Sequence, residues 1–239
     1  MAASSGWRAV GLWFDAATWS DATTADVAAR LADTGLTALD IEPVILGRGA
    51  DAGERLVDAA GALGVPFLLV AGGPASHAEA VERVGALCAY AAQAAPRLTV
   101  VLEFLPIFTI GTMAAAVAVV DELGAGNSGV LVDTLHLARS GGSAAELGAL
   151  AAARPGLFPY LQLADAGALA PVGATALREE ALHGRLLPGE GDLPLDEMIA
   201  AVPGVPVSVE LRSRALMEGY PDPGERARVI RRSLSSLAP

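Results

Sequence analysis

The chain alternates short apolar runs with longer alanine-rich segments from one end to the other. The runs are apolar at consecutive positions, which is typical of parallel strands that are covered on both faces. Strands are therefore predicted at 9–14, 38–43, 66–72, 98–104, 129–134, 159–165 and 205–211. Helices are predicted near 23–34, 51–63, 76–94, 112–124, 143–153, 194–202 and 222–236. This regular alternation indicates an α/β fold with helices outside a parallel sheet.

Small polar residues and glycines mark several predicted helix ends. A hydroxyl side chain can accept a hydrogen bond from the first free backbone N–H groups, and glycine readily adopts the left-handed conformation that ends a helix. The predicted start positions are Thr23 or Thr24, Ser76, Thr112 and Ser143. The predicted stop positions are Gly35, Gly64 and Gly124.

Four polar residues end four of the apolar runs. They are Glu103 in TVVLEF, Asp133 in GVLVDT, Gln162 in PYLQLAD and Glu210 in VPVSVEL. A carboxylate at the end of a buried strand is strongly disfavoured unless a partner compensates for its lost hydration. Three carboxylates and an amide at matching strand ends therefore predict one shared, oxygen-rich site.

The spacing of these residues favours a closed barrel. Glu103, Asp133 and Gln162 follow one another at roughly thirty residues, the length of one βα unit. In a (β/α) barrel the carboxyl ends of successive strands meet at one mouth, whereas an open doubly wound sheet would spread them along a row. Seven strands are visible, so the sequence predicts a single TIM-type barrel domain over 1–239 that lacks one βα unit.

The oxygen donors favour a hard divalent cation, Mg²⁺ or Mn²⁺, as the cofactor. The lack of clustered Cys or His argues against a structural zinc site. The alternative is that each carboxylate forms a structural ion pair with an arginine or caps the following helix. That alternative requires a separate partner for each member of the set.

Composition narrows the classes of function. The net charge of −11 argues against a nucleic-acid partner, because phosphate contact needs a basic face. The chain contains no lysine, so it has no amine side chain for Schiff-base chemistry. No membrane span or secretory signal is recognised in the sequence. The single cysteine, Cys88, is expected to be a buried thiol on a helix. A lone cysteine suits a reducing compartment, so the cytoplasm is the expected location. The expected partner is a small-molecule substrate, and the sequence leaves a homo-oligomer open.

Several fragments between 98 and 212 together resemble the xylose isomerase-like TIM-barrel superfamily, the sugar phosphate isomerase/epimerase group. These fragments are VLEFLP, VDTLHLARSGG, LQLADA, LLPGEGDLPLDEM and VSVEL. The resemblance implies that Glu103, Asp133 and Glu210 are metal ligands, and that Glu103 and Glu210 also act as acid and base. It further implies that His136 lies near the metal and touches substrate, and that Arg185 holds a substrate oxygen.

Two features depart from that pattern. Gln162 stands where most members have a metal-binding histidine, although some 3-dehydroshikimate dehydratases of the superfamily resemble a Glu-Asp-Gln-Glu set. The interval from Glu42 to Pro66 is too short for a helix, a strand and a second helix. One βα unit of typical relatives is therefore expected to be absent.

The leading functional hypothesis is a metal-dependent isomerase or epimerase of a small polyhydroxylated carbonyl compound. The alternatives are a lyase of the dehydroshikimate dehydratase type and a non-catalytic barrel that binds a metabolite. The predicted substrate-binding residues are Glu42, Arg185 and Asp165. For Glu42 a salt bridge is equally open, and Asp165 is also expected to orient Gln162 or Arg185.

Overall fold

The structure of the protein is a computed structural model that describes residues 2–48 and 52–237. The chain divides into two compact units. The early unit comprises residues 8–131, and the late unit comprises 2–7 together with the described residues from 132 onward. The prediction of a single domain over 1–239 stays a prediction.

The early unit alternates strands and helices in chain order. Its strands are β1 (Ala9–Trp13), β2 (Thr37–Ile45), β3 (Phe67–Ala71), β4 (Thr99–Glu103) and the first part of β5 (Ser128–Asp133). Its helices are α1 (Asp21–Thr34), α2 (Gly53–Leu63), α3 (His77–Ala94) and α4 (Met113–Leu123). Each strand pairs in parallel with the next one along the chain.

The late unit continues the alternation with shorter strands. After the end of β5, its strands are β6 (Leu161–Leu163) and β7 (Val207–Val209), which pair in parallel with β5 and with each other. Its helices are α5 (Thr134–Arg139), α6 (Ala144–Ala153), α7 (Ala174–His183), α8 (Leu195–Ala201), α9 (Arg214–Gly219) and α10 (Pro223–Ser233). Short 3₁₀ turns lie at Ala3–Ser5 and Leu234–Ser236.

The predicted strands are confirmed as seven parallel strands within the described residues. In β3 and β4 all residues after the first are buried, as their continuous apolar runs predicted. Three helices were not predicted, namely α5, α7 and α9. No helix was predicted between 166 and 193, where α7 lies, because the sequence there mixes small, charged and apolar residues without a clear apolar face.

Helix capping follows the prediction except at α1. Ser76, Thr112 and Ser143 cap α3, α4 and α6 through their side chains, and Gly35, Gly64 and Gly124 end helices with positive φ. The predicted cap at Thr23 or Thr24 is wrong. Ser20 caps α1 instead, because its hydroxyl accepts from the Thr23 N–H while the Thr23 hydroxyl accepts from the Ser20 N–H. The start of the predicted helix at 51 lies outside the described residues.

β2 extends past the predicted end at Pro43. Proline has no N–H to donate to a neighbouring strand and therefore reads as a strand terminus. The pairing of β2 with β3 instead shifts register between Ile41 and Val44, which accommodates Pro43 within the strand. Glu42 consequently lies inside β2, opposite Trp13 of β1, rather than at a strand end.

The described residues of the short interval after Glu42 contain a single helix, α2, and β2 pairs directly with β3. Within the described part of the chain, no helix is long and apolar enough to cross a membrane.

Candidate metal-binding and acid/base site

The four polar residues predicted to share a site lie at or near strand ends. Glu103 is the last residue of β4 and is buried in the early unit. In the late unit, Asp133 ends β5, Gln162 is the middle residue of β6, and Glu210 follows β7 by one residue. The strand-end placement agrees with the sequence pattern. The participation of Glu103 in one site with the other three stays a prediction.

Asp133 joins strand β5 to helix α5. Its side chain is fully buried and caps the helix, because Oδ1 accepts from the His136 N–H at 3.0 Å. Its other oxygen, Oδ2, accepts from Arg185 Nη1 at 2.5 Å. Burial raises the pKa of Asp133, but the Arg185 guanidinium and the His136 contacts outweigh it and hold the pKa below its ordinary value. Asp133 is therefore a carboxylate anion in the fold.

Arg185 connects Asp133 to Glu210. Its guanidinium is 2 % exposed and lies 3.1 Å from Glu210 Oε2 through Nη2. Its Nε donates to the Ala181 carbonyl at 3.0 Å, which fixes the side chain from the α7 side. The second oxygen of Glu210, Oε1, accepts from Arg212 Nε at 3.0 Å. We call Asp133, Arg185, Glu210 and Arg212 the charged cluster.

The charged cluster bears directly on the alternative of isolated structural ion pairs. That alternative expected each carboxylate to pair with an arginine or to cap a helix, and Asp133 and Glu210 both meet this expectation. Asp133 caps α5 and pairs with Arg185, and Glu210 pairs with Arg212, while the Arg185 guanidinium also bridges the two carboxylates. The cluster also extends from the interior toward solvent. The side chains of Arg185 and Arg212 are 2 % and 38 % exposed.

Gln162 lies beside Asp133 on the neighbouring strand, since the two residues are paired in the β5–β6 register. Its side chain is 3 % exposed, and Oε1 has no hydrogen-bond partner among residues 2–48 and 52–237. A buried amide oxygen without a partner is uncommon, because it has lost water without gaining another donor. It is available to coordinate a cation.

His136 lies one turn into α5 and is 4 % exposed. Its ring nitrogen that could bind a metal lies within 4.8 Å of a carboxylate oxygen of Asp133. Burial lowers the pKa of His136, and Arg185 lowers it further, against the opposing effect of Asp133. The imidazole is therefore neutral near pH 7 and can act as a ligand or a proton acceptor.

Asp165 anchors the loop that contains Gly189 and Gly191. Oδ2 accepts from the N–H groups of Gly189 and Gly191 at 2.9 and 3.0 Å, and Oδ1 accepts from Ala166 and Leu193 at 2.8 and 3.1 Å. A Cβ at Gly191 would lie 2.4 Å from Asp165 Oδ1, so only glycine permits this approach. Leu186 also bridges to Asp165 through the backbone, which fixes the chain next to Arg185. The predicted substrate contact of Asp165 stays a prediction, and so does that of Glu42.

Several side chains of low exposure were missed by the sequence analysis, among them Arg139, Glu180 and Asp40. Arg139 forms a bidentate ion pair with Glu180, with both N–O distances at 2.7 Å, and also donates to the Gly167 carbonyl. Asp40 is buried in β2, and the missing side chain of Gly11 leaves room for its carboxylate. Asp40 precedes Glu42 by two residues, so the period of a strand could have signalled that both lie on one face.

The family of the chain follows from its sequence as a whole. The sequence model of the xylose isomerase-like TIM barrel family matches residues 1–238. The chain belongs to this family, and the predicted TIM-type fold with seven parallel strands is confirmed.

Solved structures agree on the fold. A xylose isomerase-like TIM barrel/4-hydroxyphenylpyruvate dioxygenase fusion protein is 21% identical with a TM-score of 0.80, covering 98% of this chain and 39% of its own. The probable 3-DHS dehydratase AsbF from Bacillus anthracis is 19% identical with a TM-score of 0.74, covering 98% and 90%. A D-psicose 3-epimerase in the presence of D-fructose is 20% identical with a TM-score of 0.70, covering 98% and 89%. No curated protein matches the chain significantly.

Proposed function

We propose that the protein is a divalent-metal-dependent isomerase or epimerase that acts on a small polyhydroxylated carbonyl compound. Membership of the xylose isomerase-like family supports this class of reaction, and the epimerase among the structural neighbours has the same fold. The late unit supports it independently, because it carries buried carboxylate, amide and imidazole groups at the ends of β5 and β6 and the half-buried Glu210 directly after β7.

The observation that carries the proposal is the buried Oε1 of Gln162, which has no hydrogen-bond partner in the described chain and lies next to Asp133. A structural amide in this position would gain a donor, since leaving a buried acceptor unsatisfied costs about 1–3 kcal/mol. A cation bound between Gln162 and Asp133 would satisfy this oxygen. Arg185 already donates a hydrogen bond to Asp133. A carboxylate oxygen has more than one lone pair, so Asp133 can bind a metal ion as well.

The donor set fits a hard divalent cation. We assign Asp133, Gln162 and Glu210 as ligands from the late unit, with Glu103 of the early unit as the fourth. All four donate oxygen, which favours Mg²⁺ or Mn²⁺. When bound, such an ion polarises a substrate carbonyl and the adjacent hydroxyl, and so lowers the barrier to loss of the neighbouring proton.

Glu210 and Glu103 are the proposed acid and base. Glu210 is oriented by Arg185 on one oxygen and by Arg212 on the other, so its carboxylate is held in one position. A carboxylate that removes the proton α to the carbonyl, and a second that returns one, give epimerisation or isomerisation according to the carbon that is reprotonated. We assign to neutral His136 the exchange of a proton with a substrate oxygen.

Solvent exchange tests this proposal directly. The protein loaded with Mn²⁺ should incorporate deuterium from D₂O into at least one member of a panel of ketoses and keto-polyols. Glu210→Gln should abolish exchange while leaving the circular dichroism spectrum and melting temperature close to those of the parent. Arg214→Met is the matched control, because exposed Arg214 pairs with exposed Glu179 at 3.0 Å, outside the charged cluster. Absence of exchange across the whole panel would contradict the proposal.

The second candidate is a lyase that expels a β-hydroxyl group after the same proton abstraction. Gln162 favours it, because a Glu-Asp-Gln-Glu set resembles that of some dehydroshikimate dehydratases, and one structural neighbour is described as a probable 3-DHS dehydratase. With 3-dehydroshikimate as the substrate, a lyase would produce a conjugated product that absorbs in the ultraviolet. A keto-polyol product without this absorbance would favour the isomerase.

The same proposal places the enzyme in the cytoplasm. The single cysteine supports this location, since Cys88 is buried and has no cysteine partner.

A further inference from the structure

Helix α1 of the early unit packs less closely than the helices that follow it. None of its residues is buried, whereas α2, α3 and α4 each bury at least four residues. Strand β1, which precedes α1, has no buried residue either. Helices in folded proteins are stabilised mainly by the packing of one face against other elements. Helix α1 therefore presents a largely uncovered face.

This face of α1 carries carboxylates without a basic partner. Asp26 and Asp33 are both exposed and lie on one side of the helix, because seven residues span about two turns. Among residues 2–48 and 52–237, neither side chain forms an ion pair or a hydrogen bond, although Arg30 lies between them. Asp33 is in the last turn, where the helix dipole disfavours a carboxylate. A cation supplied from outside the helix would stabilise this face.

Helix α10 of the late unit has the opposite charge. Arg228, Arg231 and Arg232 are exposed, and their spacing of three and four residues places them on one side of the helix. Arg231 lies over the ring of Trp7, at 5.8 Å from its centroid. Within the described part of the chain, the side chains of Arg228 and Arg232 have no ion-pair or hydrogen-bond partner. The helix dipole favours cations in the last turn, which accounts for Arg231 and Arg232 but not for Arg228.

We propose that α10 of one copy of the chain docks against α1 of a second copy. The exposed arginines Arg228 and Arg232 then face the two unpaired aspartates of α1, so that like charges within each helix gain opposite charges across the contact. The exposed side chain of Ala29, between the aspartates, is small enough for the apolar stems of the arginines to lie on it. A reciprocal contact uses α1 and α10 of both copies and closes a dimer. This inference does not depend on the proposed reaction.

A second copy suits the basic face of α10 better than a nucleic acid does. Binding of nucleic acid generally requires a basic domain or an extended basic stripe. Here the arginines are confined to one helix, which begins with acidic Asp222 and Glu225, in a chain whose net charge is −11. The net repulsion between two copies is screened over about 8 Å at physiological ionic strength, so the charges at the contact dominate.

Charge reversal tests the contact. One double variant, Arg228→Glu/Arg232→Glu, reverses the basic face of α10. A second double variant, Asp26→Arg/Asp33→Arg, reverses the acidic face of α1. Sedimentation equilibrium should show dimers of the parent, and each variant alone should have a dimer dissociation constant at least ten-fold higher, because like charges then oppose each other. An equimolar mixture of the two variants should recover most of the association, since their charges are again complementary.

A matched control separates this contact from the effect of net charge. Arg97→Glu/Arg178→Glu changes the net charge as much as the α10 variant does, at exposed arginines outside α1 and α10. It should associate as strongly as the parent. All of the substituted side chains are exposed, so the circular dichroism spectra and melting temperatures of the variants should stay close to those of the parent.

Several results would overturn the inference. The first is a parent that stays monomeric at roughly 1 mM chain, where even a millimolar contact would be substantially formed. The second is dimerisation that persists in both double variants, which would mean that the copies meet through another surface. The third is a mixture of variants that fails to recover association. Binding of random-sequence duplex DNA that is lost in Arg228→Glu/Arg232→Glu, with self-association unchanged, would assign the basic face to nucleic acid instead.

Discussion

The two units of the chain differ in the number of polar side chains that they bury. Among the described residues, the buried polar or charged positions of the early unit are Asp40 and Glu103. Those of the late unit are Asp133, Thr134, His136, Gln162, Asp165, Arg185 and Ser213. The strands differ in the same sense, since β3 and β4 have five residues each and β6 and β7 have three. The early unit is held mainly by apolar packing, and the late unit relies on a polar network.

The contrast indicates that apolar packing stabilises the early unit, whereas the late unit carries most of the buried polar groups that are available for chemistry. Apolar contacts tolerate substitutions that preserve volume and are insensitive to charge. A buried network fails when one partner is removed, because the remaining group is left without compensation. The comparison therefore predicts different consequences for mutations in the two units.

Arg185→Met in the late unit should have the largest effect. It leaves Asp133 buried without its main counter-charge, and breaking a buried ion pair in this way costs about 3–5 kcal/mol. The free energy of unfolding is measured by urea denaturation in the presence of a chelator. The double variant Arg185→Met/Asp133→Asn should recover part of the loss, because it removes the stranded charge. Equal destabilisation in the single and double variants would show that Arg185 acts by packing alone.

Leu102→Ala tests the early unit. Leu102 is fully buried in β4, and truncation of such a leucine costs roughly 2–5 kcal/mol through lost burial and the cavity left behind. Unlike Arg185→Met, this change alters no charge and should leave the dependence of stability on salt unchanged. Leu102→Met conserves volume and should recover most of the loss. A large change in salt dependence for Leu102→Ala would contradict the contrast between the units.

Asp165→Asn should give a smaller and more local effect. The amide NH₂ would face two backbone N–H groups that now donate to a carboxylate oxygen, so the loop from Leu186 to Leu193 should loosen. We expect a loss of about 2 kcal/mol from these unsatisfied donors. Hydrogen exchange should accelerate at Gly189 and Gly191 and remain unchanged in β3. Uniform acceleration throughout the chain would instead mean that Asp165 stabilises the whole fold.

The same contrast explains how much the sequence could predict. Strands β3, β4 and β5 were predicted closely, because runs of consecutive large apolar residues occur mainly in the strands of this chain, whereas its helices are rich in alanine. The positions of Glu103, Asp133 and Glu210 at or beside strand ends could be predicted, because a charge at the end of such a run is conspicuous. Arg139 and Asp40 were missed, because a helical arginine and an aspartate within a mixed run look the same whether they are buried or exposed. Their burial depends on contacts distant in sequence, such as that of Arg139 with Glu180.

Cys88 offers the smallest and most selective prediction in the early unit. Its thiol is buried on α3, and burial raises its pKa from 9.0 to about 11. Below pH 9 the thiol is neutral in the folded and the unfolded chain, so it contributes no pH dependence there. Between pH 9 and 11 the unfolded thiol ionises first, and the folded state loses stability as the pH rises.

The expected loss between pH 8 and pH 10 is about 1 kcal/mol, because each unit of pKa difference corresponds to about 1.4 kcal/mol. The chain has no lysine, so few other side chains titrate in this interval and the contribution of Cys88 can be isolated. Stability against urea is compared at the two pH values for the parent and for Cys88→Ala, whose smaller side chain lowers stability equally at both. The parent should lose more stability than the variant on going to pH 10. An equal loss in both would show that the alkaline sensitivity arises elsewhere. It would also mean that the pKa of Cys88 is not raised by burial, and hence that water reaches the thiol on α3.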